Sequence, residues 1–225
     1  MSEAMLDTPL RSPEIRALYT RLARSYDLWA GLTDAKAHQA ALARAAVAGG
    51  EAVLEVAVGT GLLFEELLRA NPGGRNVGID LTEAMLERAR KRARKVAPGG
   101  NWELAVGDAC ALTFPDASFD LVLCGYLFDL LPEADFGVVV GEMTRVLRPG
   151  GRLVLVNLTH GGGWTARAAA ALFKWRPALM GGCRAVALEP WLRAAGLVDV
   201  RREVVTQMGV ASEVLSAVRP REGIK

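Results

Sequence analysis

From residue 52 onward, short apolar runs alternate with segments whose apolar residues recur every three to four positions. Ala52–Val56, residues 76–79, Trp102–Val106, residues 120–124 and residues 152–157 read as strands. Leu62–Ala70, Glu83–Val96 and residues 134–147 read as the helices between them. Thr82 suits an N-cap, Pro132 a first turn, and Pro149-Gly150-Gly151 a stop after the third helix. Strands such as LVLVNL show no polar alternation, as burial on both faces requires. This order predicts an α/β architecture, a parallel sheet covered by helices. Two late runs, residues 198–205 and 212–218, are joined by a short stretch containing Gly209. That link permits a hairpin and forbids a helical crossover, so the last strand is expected to run antiparallel.

Ahead of the sheet, Ile15, Leu18, Tyr19, Leu22, Tyr26 and Trp29 recur at helical spacing. A second helix, about residues 34–48, is expected to end at Gly49-Gly50. Residues 1–50 therefore read as a helical cap on the same domain, and residues 51–225 as its core. Within the core, residues 161–188 form a glycine-flanked lid segment bearing Trp164, Phe173 and Trp175.

The 225 residues suit one domain, with 51% apolar and 23% charged residues arguing against disorder. A formal charge of +2 gives no reason to expect nucleic acid. The first residues lack a secretory pattern, and the most apolar long stretch, residues 164–180, carries Arg167, Lys174 and Arg176. No transmembrane span is expected. Cys110, Cys124 and Cys183 offer neither a disulfide framework nor a metal-ligand spacing, so a reduced, cytoplasmic chain without a bound metal is expected. The run ERARKRARK places its basic residues opposite an inward stripe of Met85, Ala89 and Ala93. It reads as a solvated face, with peripheral contact to a membrane surface left open.

In such a sheet, ligands bind at the carboxyl ends of the strands. Glu55 lies near the end of the first strand, Asp80 ends the second and Asp108 follows the third. Gly59 and Gly61 allow main chain to approach a ligand closely. The dinucleotide pattern fails, because its third glycine position is Phe64. Glu55 would also sit badly beside a pyrophosphate, whereas a cofactor carrying an amine and a sulfonium would welcome it. These residues favour S-adenosylmethionine.

The motifs VLEVAVGTG, VGIDLTEAMLERAR, VGDACALTFPDASFDLVLCGYLFDLL and RVLRPGGRLVLVNL, in that order, resemble the class I S-adenosylmethionine-dependent methyltransferases. The opening IRALYTRLARSYDLWAGLTD is similar to the ubiquinone/menaquinone-biosynthesis type. The resemblance implies a Rossmann-like, doubly wound, mostly parallel seven-stranded sheet with an antiparallel last strand and an N-terminal helical cap. It also implies roles. Glu55, Ala57, Gly59, Thr60 and Gly61 would line the methionine end, Ala57 standing where the family usually has glycine. Asp80 would hold the ribose hydroxyls, with Leu81 and Met85 near the adenine. Asp108 would bond the adenine amine, with Ala109 beside the ring. Cys124 and Tyr126 would face the sulfonium and its methyl group, and Tyr26 would close the site. Tyr126 and His160 are the candidate catalytic residues.

Plainer readings stand beside these. Asp80 could cap a helix, Cys110 could simply be buried, and His160 could be structural. Asp129 could reach the pocket or cap the next helix. Arg184 could meet an acidic substrate or hold the lid through a carboxylate. The apolar lid and N-terminal helices point to an apolar or amphipathic small-molecule acceptor, a quinone- or phenol-like ring methylated at carbon or oxygen. Alternatives are N-methylation of a lipid amine head group and a non-catalytic S-adenosylmethionine-binding protein.

Overall fold

The computed structural model describes residues 34–159 and 184–221. Helix α1 (Ala35–Ala45) precedes β1 (Ala52–Val56), α2 (Leu62–Ala70), β2 (Arg75–Asp80), α3 (Glu83–Val96) and β3 (Trp102–Val106). Then come β4 (Phe119–Gly125), a 3₁₀ turn (Glu133–Asp135), α4 (Phe136–Val146) and β5 (Leu147–Leu158). Helix α5 (Glu189–Ala194), β6 (Val198–Gln207) and β7 (Val210–Val218) complete the described chain.

The strands form one seven-stranded sheet in the order β3-β2-β1-β4-β5-β7-β6. Strands β1 to β5 pair in parallel, while β7 lies between β5 and β6 and runs antiparallel to both. The hairpin turns through Met208 and Gly209, with φ of +52° and +81°. Two positive φ values in a two-residue link match the twist of the flanking strands.

Apolar side chains cover both sheet faces. On one face, Leu54, Val56, Val122, Cys124 and Leu155 pack with α4 and α5. On the other, Val53, Leu121, Leu123 and Val156 pack with α1, α2 and α3. Helix α2 buries Leu63, Phe64, Leu67 and Leu68 at helical spacing, so Phe64 serves as packing where a dinucleotide site would need glycine. Helix α3 buries Met85, Leu86, Ala89 and Ala93, leaving Lys91, Arg94 and Lys95 exposed as the sequence pattern predicts.

Two boundaries differ from expectation. Helix α1 stops at Ala45, its C-cap Ala46 taking a left-handed φ of +46°, several residues before Gly49-Gly50. Helix α4 ends at Val146, and β5 starts at once, so Pro149-Gly150-Gly151 lies inside the strand. Gly150 donates to the Arg219 carbonyl at 2.8 Å, and Arg219 donates to Gly151 at 2.9 Å. These bonds to Arg219, just past β7, carry the strand through Gly150 at a left-handed φ of +84°, with a register shift between Phe119 and Leu121. Among the described residues no helix is long and apolar enough to cross a membrane.

Candidate functional site

Strand β1 delivers Glu55 to the rim of the sheet on the α1–α3 face, since it shares the parity of Val53. The chain then turns through Ala57 (φ +60°), Gly59 (φ +57°) and Gly61 (φ +84°) into α2. Val58 donates to the Ile79 carbonyl and Gly61 to the Val58 carbonyl, each at 3.0 Å, which closes the loop. Alanine at position 57 thus occupies the left-handed conformation that the family's glycine would adopt without strain.

Asp80 binds this loop to the next one. One carboxylate oxygen accepts the Gly59 N–H and the other accepts the Thr82 N–H, both at 2.8 Å. Thr82 is the N-cap residue of α3, so Asp80 fixes the start of α3 against the glycine turn. Burial lifts the Asp80 pKa above the ordinary range, and these two N–H donors oppose the rise. On the neighbouring strand, Gly107 donates to the Asp80 carbonyl, and Asp108 accepts the Cys110 N–H at 2.8 Å. Glu55, Asp80 and Asp108 therefore stand at the same end of three adjacent strands.

A small, solvent-open cleft of about 50 Å³ lies beside Glu55. The loop residues Ala57, Val58, Gly59 and Thr60 line it, as do Gly125 and Tyr126. Asp34 and His38, at the start of α1, line it as well. Glu55 is only 2% exposed, and its Oε2 has no hydrogen-bond partner. Burial, with Asp80 and Glu66 nearby, pushes its pKa well above the carboxylate range. Thr60 Oγ1 is likewise buried without a partner. Burial holds the His38 imidazole down to about 4.

The expected site residues divide accordingly. Glu55, Ala57, Gly59, Thr60 and Tyr126 meet at the cleft. Gly61, Asp80, Leu81, Met85, Asp108 and Ala109 stand outside its lining. Met85 is buried under α3, Asp108 is exposed, and Ala109 packs on the α4-side core. Cys124 needs correction. Its parity turns it into the α4-side core, where burial pushes its thiol pKa upward, and Gly125 and Tyr126 take its place at the cleft. Tyr126 has a left-handed φ of +57°, and its hydroxyl shares a 2.9 Å hydrogen bond with Ser212 Oγ of β7. Tyr26 and His160 lie outside the described residues, as do Cys183, the first predicted helix and most of the lid segment.

Asp34 and His38 escaped the sequence reading. His38 shares the inward spacing of Ala41 and Ala45 along α1, a pattern that by itself reads only as core.

Asp129 does neither job foreseen for it. It is wholly buried, and its carboxylate oxygens accept the Leu158 N–H at 3.0 and 3.1 Å, capping the end of β5. Its carbonyl accepts the Arg184 N–H at 3.1 Å. The Arg184 guanidinium donates to the Leu131 carbonyl at 2.6 Å and lies 5.6 Å from the Phe136 ring centre. Burial, reinforced by Glu213 and Asp34, pushes the Asp129 pKa well above its ordinary value. Asp129→Asn keeps an acceptor and removes the buried charge, so stability at pH 7 should change by less than about 1 kcal/mol. Asp129→Ala strands the Leu158 N–H and should lose about 2 kcal/mol in urea unfolding.

A family model described as a methyltransferase domain matches residues 53–151. A demethylmenaquinone methyltransferase of Tropheryma whipplei (strain Twist) is 36% identical over 151 residues, covering 65% of this chain and 60% of its own. A phosphatidylethanolamine N-methyltransferase of Cereibacter sphaeroides is 38% identical over 144 residues, covering 60% of this chain and 67% of its own. The crystal structure of the [4+2]-cyclase SpnF superposes with a TM-score of 0.75 at 17% identity, covering 98% of this chain and all (100%) of its own. Its chemistry differs by name, so the architecture by itself does not establish the reaction. The chain spans about 60% of the length of the demethylmenaquinone methyltransferase it matches. With the glycine turn, the strand-end acids and these sequence matches together, the chain belongs to the S-adenosylmethionine-dependent methyltransferases.

Proposed function

We propose that this chain transfers the methyl group of S-adenosylmethionine to an apolar or amphipathic small molecule held in the cleft beside Glu55. The observation carrying this reading is the unpartnered, buried Glu55 carboxylate oxygen at the head of the glycine turn. A buried anion without a partner is costly, and an ammonium group would satisfy it. Around it the chain leaves room: a Cβ on Gly59 would meet no atom within 4 Å, and the Thr60 hydroxyl remains available.

The residues present therefore fit the cofactor. Glu55, Ala57, Gly59, Thr60 and Gly61 would hold its methionine end. Asp80 would hold the ribose, each oxygen having a second lone pair beyond its N–H bond, with Leu81 and Met85 beside the adenine. Asp108 and Ala109 would meet the adenine edge. When bound, the cofactor supplies an electrophilic methyl group on a cationic sulfur. The protein then has to align the acceptor with that methyl and exclude water. Positioning of this kind accounts for up to about 7–11 kcal/mol of barrier lowering in well-oriented reactions. Gly125 and Tyr126, at the end of β4, line the same cleft and would meet the acceptor there.

For the acceptor, we favour a quinone- or phenol-like ring methylated at carbon or oxygen, in keeping with the demethylmenaquinone relative and the aromatic content of residues 161–188. The second reading, N-methylation of a lipid amine head group, draws support from the N-methyltransferase relative. The two acids at the cleft, Asp34 and Glu55, would also suit a cationic acceptor.

Calorimetry with S-adenosylmethionine and with S-adenosylhomocysteine should give micromolar binding. The double variant Asp80→Ala/Gly59→Val should abolish it, since it removes the clamp on the turn and places a branched side chain at φ +57°. Full affinity in that variant would refute the site. A labelled-methyl screen over quinols, phenols and amines then distinguishes the two acceptor readings.

A further inference from the structure

We propose that His38 is the proton acceptor of the transfer, the base that takes the acceptor's proton as the methyl group arrives. This rests on the methyl-transfer reading above.

The placement comes first. His38 lies on the face of α1 that Ala41 and Ala45 bury against the sheet, yet it lines the cleft with Glu55 and Tyr126. It is 7% exposed, and among the described residues nothing hydrogen-bonds its ring nitrogens. The Tyr126 ring is its aromatic neighbour, 6.2 Å away between centroids and tilted by 57°. Its ring nitrogens are not among the sealed-off polar atoms, so they face the open cleft, where an acceptor can reach them. The nearest competitor for the role is weaker, because the Tyr126 hydroxyl is engaged with Ser212 and is a base only as a phenolate.

Electrostatics keep the ring usable. Asp34 comes from the same end of α1, Glu55 from β1 and Tyr126 from the end of β4. Arg44, further along α1, is occupied by Glu203 of β6 at 3.0 Å. No described lysine or arginine lines the cleft. Burial leaves the ring neutral at pH 7. A neutral ring does not repel a cationic donor and can accept a proton.

A weak base suffices for this step. The acceptor's electron pair forms the new bond to the methyl carbon, and the methyl–sulfur bond breaks with its pair remaining on sulfur. The acceptor, a ring carbon or a phenol-type oxygen, then carries a surplus proton far more acidic than before. That proton passes to the imidazole and on to solvent, in a cleft that Asp34 and Glu55 also line. General-base contributions of this type are worth about 10²–10⁴-fold.

The test uses the full chain and two acceptor probes, a prenylated naphthoquinol and an unsubstituted phenol. His38→Gln should bind S-adenosylhomocysteine within twofold of wild type, keep KM for the probe, and lose at least 100-fold in kcat. His38→Gly should regain part of that kcat with added imidazole, a rescue that a structural role would not show. Retention of kcat within threefold in His38→Gln, or a parallel loss of cofactor affinity, overturns the assignment while leaving the methyl-transfer reading intact. Failure of wild type to bind S-adenosylhomocysteine overturns that reading and the assignment with it. If wild type binds but methylates neither probe, nitrogen NMR decides, with only two histidines in the chain to distinguish. A neutral His38 ring with an unbonded nitrogen in the S-adenosylhomocysteine complex supports the role. A protonated ring at pH 7, or a nitrogen locked to a protein partner, overturns it.

Discussion

Gly61→Ala is expected to destabilise the fold by about 2–4 kcal/mol, the sum of a backbone and a packing penalty. Gly61 has φ +84°, where a side chain strains the backbone by about 1–2 kcal/mol. Its Cβ would also stand 2.9 Å from both Cα and Cβ of Ala89, inside van der Waals contact. Ala89 lies mid-way along α3 and is fully buried, so relief requires α2 and α3 to separate. Gly59→Ala is the internal control. It meets no atom within 4 Å at φ +57°, so it should show only the backbone penalty, about 1 kcal/mol. Thermal melts of the pair should differ by several degrees, at roughly 2–4 °C per kcal/mol for a domain of this size. Equal melting temperatures would mean that α2 and α3 do not meet at Gly61.

The elements legible in the sequence are those whose ends carry their own chemistry. α2 starts after the Gly59–Gly61 turn and α3 after Thr82, so Leu62–Ala70 and Glu83–Val96 have the bounds the pattern predicts. The antiparallel end was legible because Met208-Gly209 is too short for any crossover. Boundaries set by tertiary bonds were not. Pro149-Gly150-Gly151 reads locally as a stop, but its backbone groups pair with Arg219, distant in sequence. Cys124 was misdirected for a related reason. β4 is apolar on both faces, so nothing in its pattern reveals which parity meets the cleft. The glycine turn and the strand-end acids were legible as a group because three successive strands each place an acid at the same rim. His38 was not, because an inward histidine on an alanine-rich helix differs from core only once the cleft beside it is seen.

Glu55→Gln should stabilise the free protein while weakening its grip on the cofactor, and the two effects should have opposite signs in one variant. Wild-type Glu55 is buried, with one oxygen unpartnered and Asp80 and Glu66 raising its pKa further. A group whose folded pKa is raised contributes stability fully below its unfolded value, near 4.5, and loses it as pH rises through the folded pKa. At pH 7 folding therefore costs either a buried anion or the uptake of a proton at Glu55, a burden that glutamine, of the same shape, does not carry. The variant should be more stable by about 1–3 kcal/mol at pH 7, with the difference shrinking as pH falls toward 4.5. His38 contributes an opposite slope between its ordinary 6.5 and about 4, where falling pH destabilises the fold. That slope is common to both proteins and cancels in the comparison. Cofactor affinity should fall about 100-fold, or 2.7 kcal/mol, because the amide cannot neutralise an ammonium group. Paired urea titrations from pH 4.5 to 8 read the first effect, and calorimetry with S-adenosylhomocysteine reads the second. A variant that loses stability at pH 7 would show that Glu55 is already neutralised in the free protein. One that keeps wild-type affinity would show that the ammonium group lies elsewhere, and with it the cofactor's methionine end.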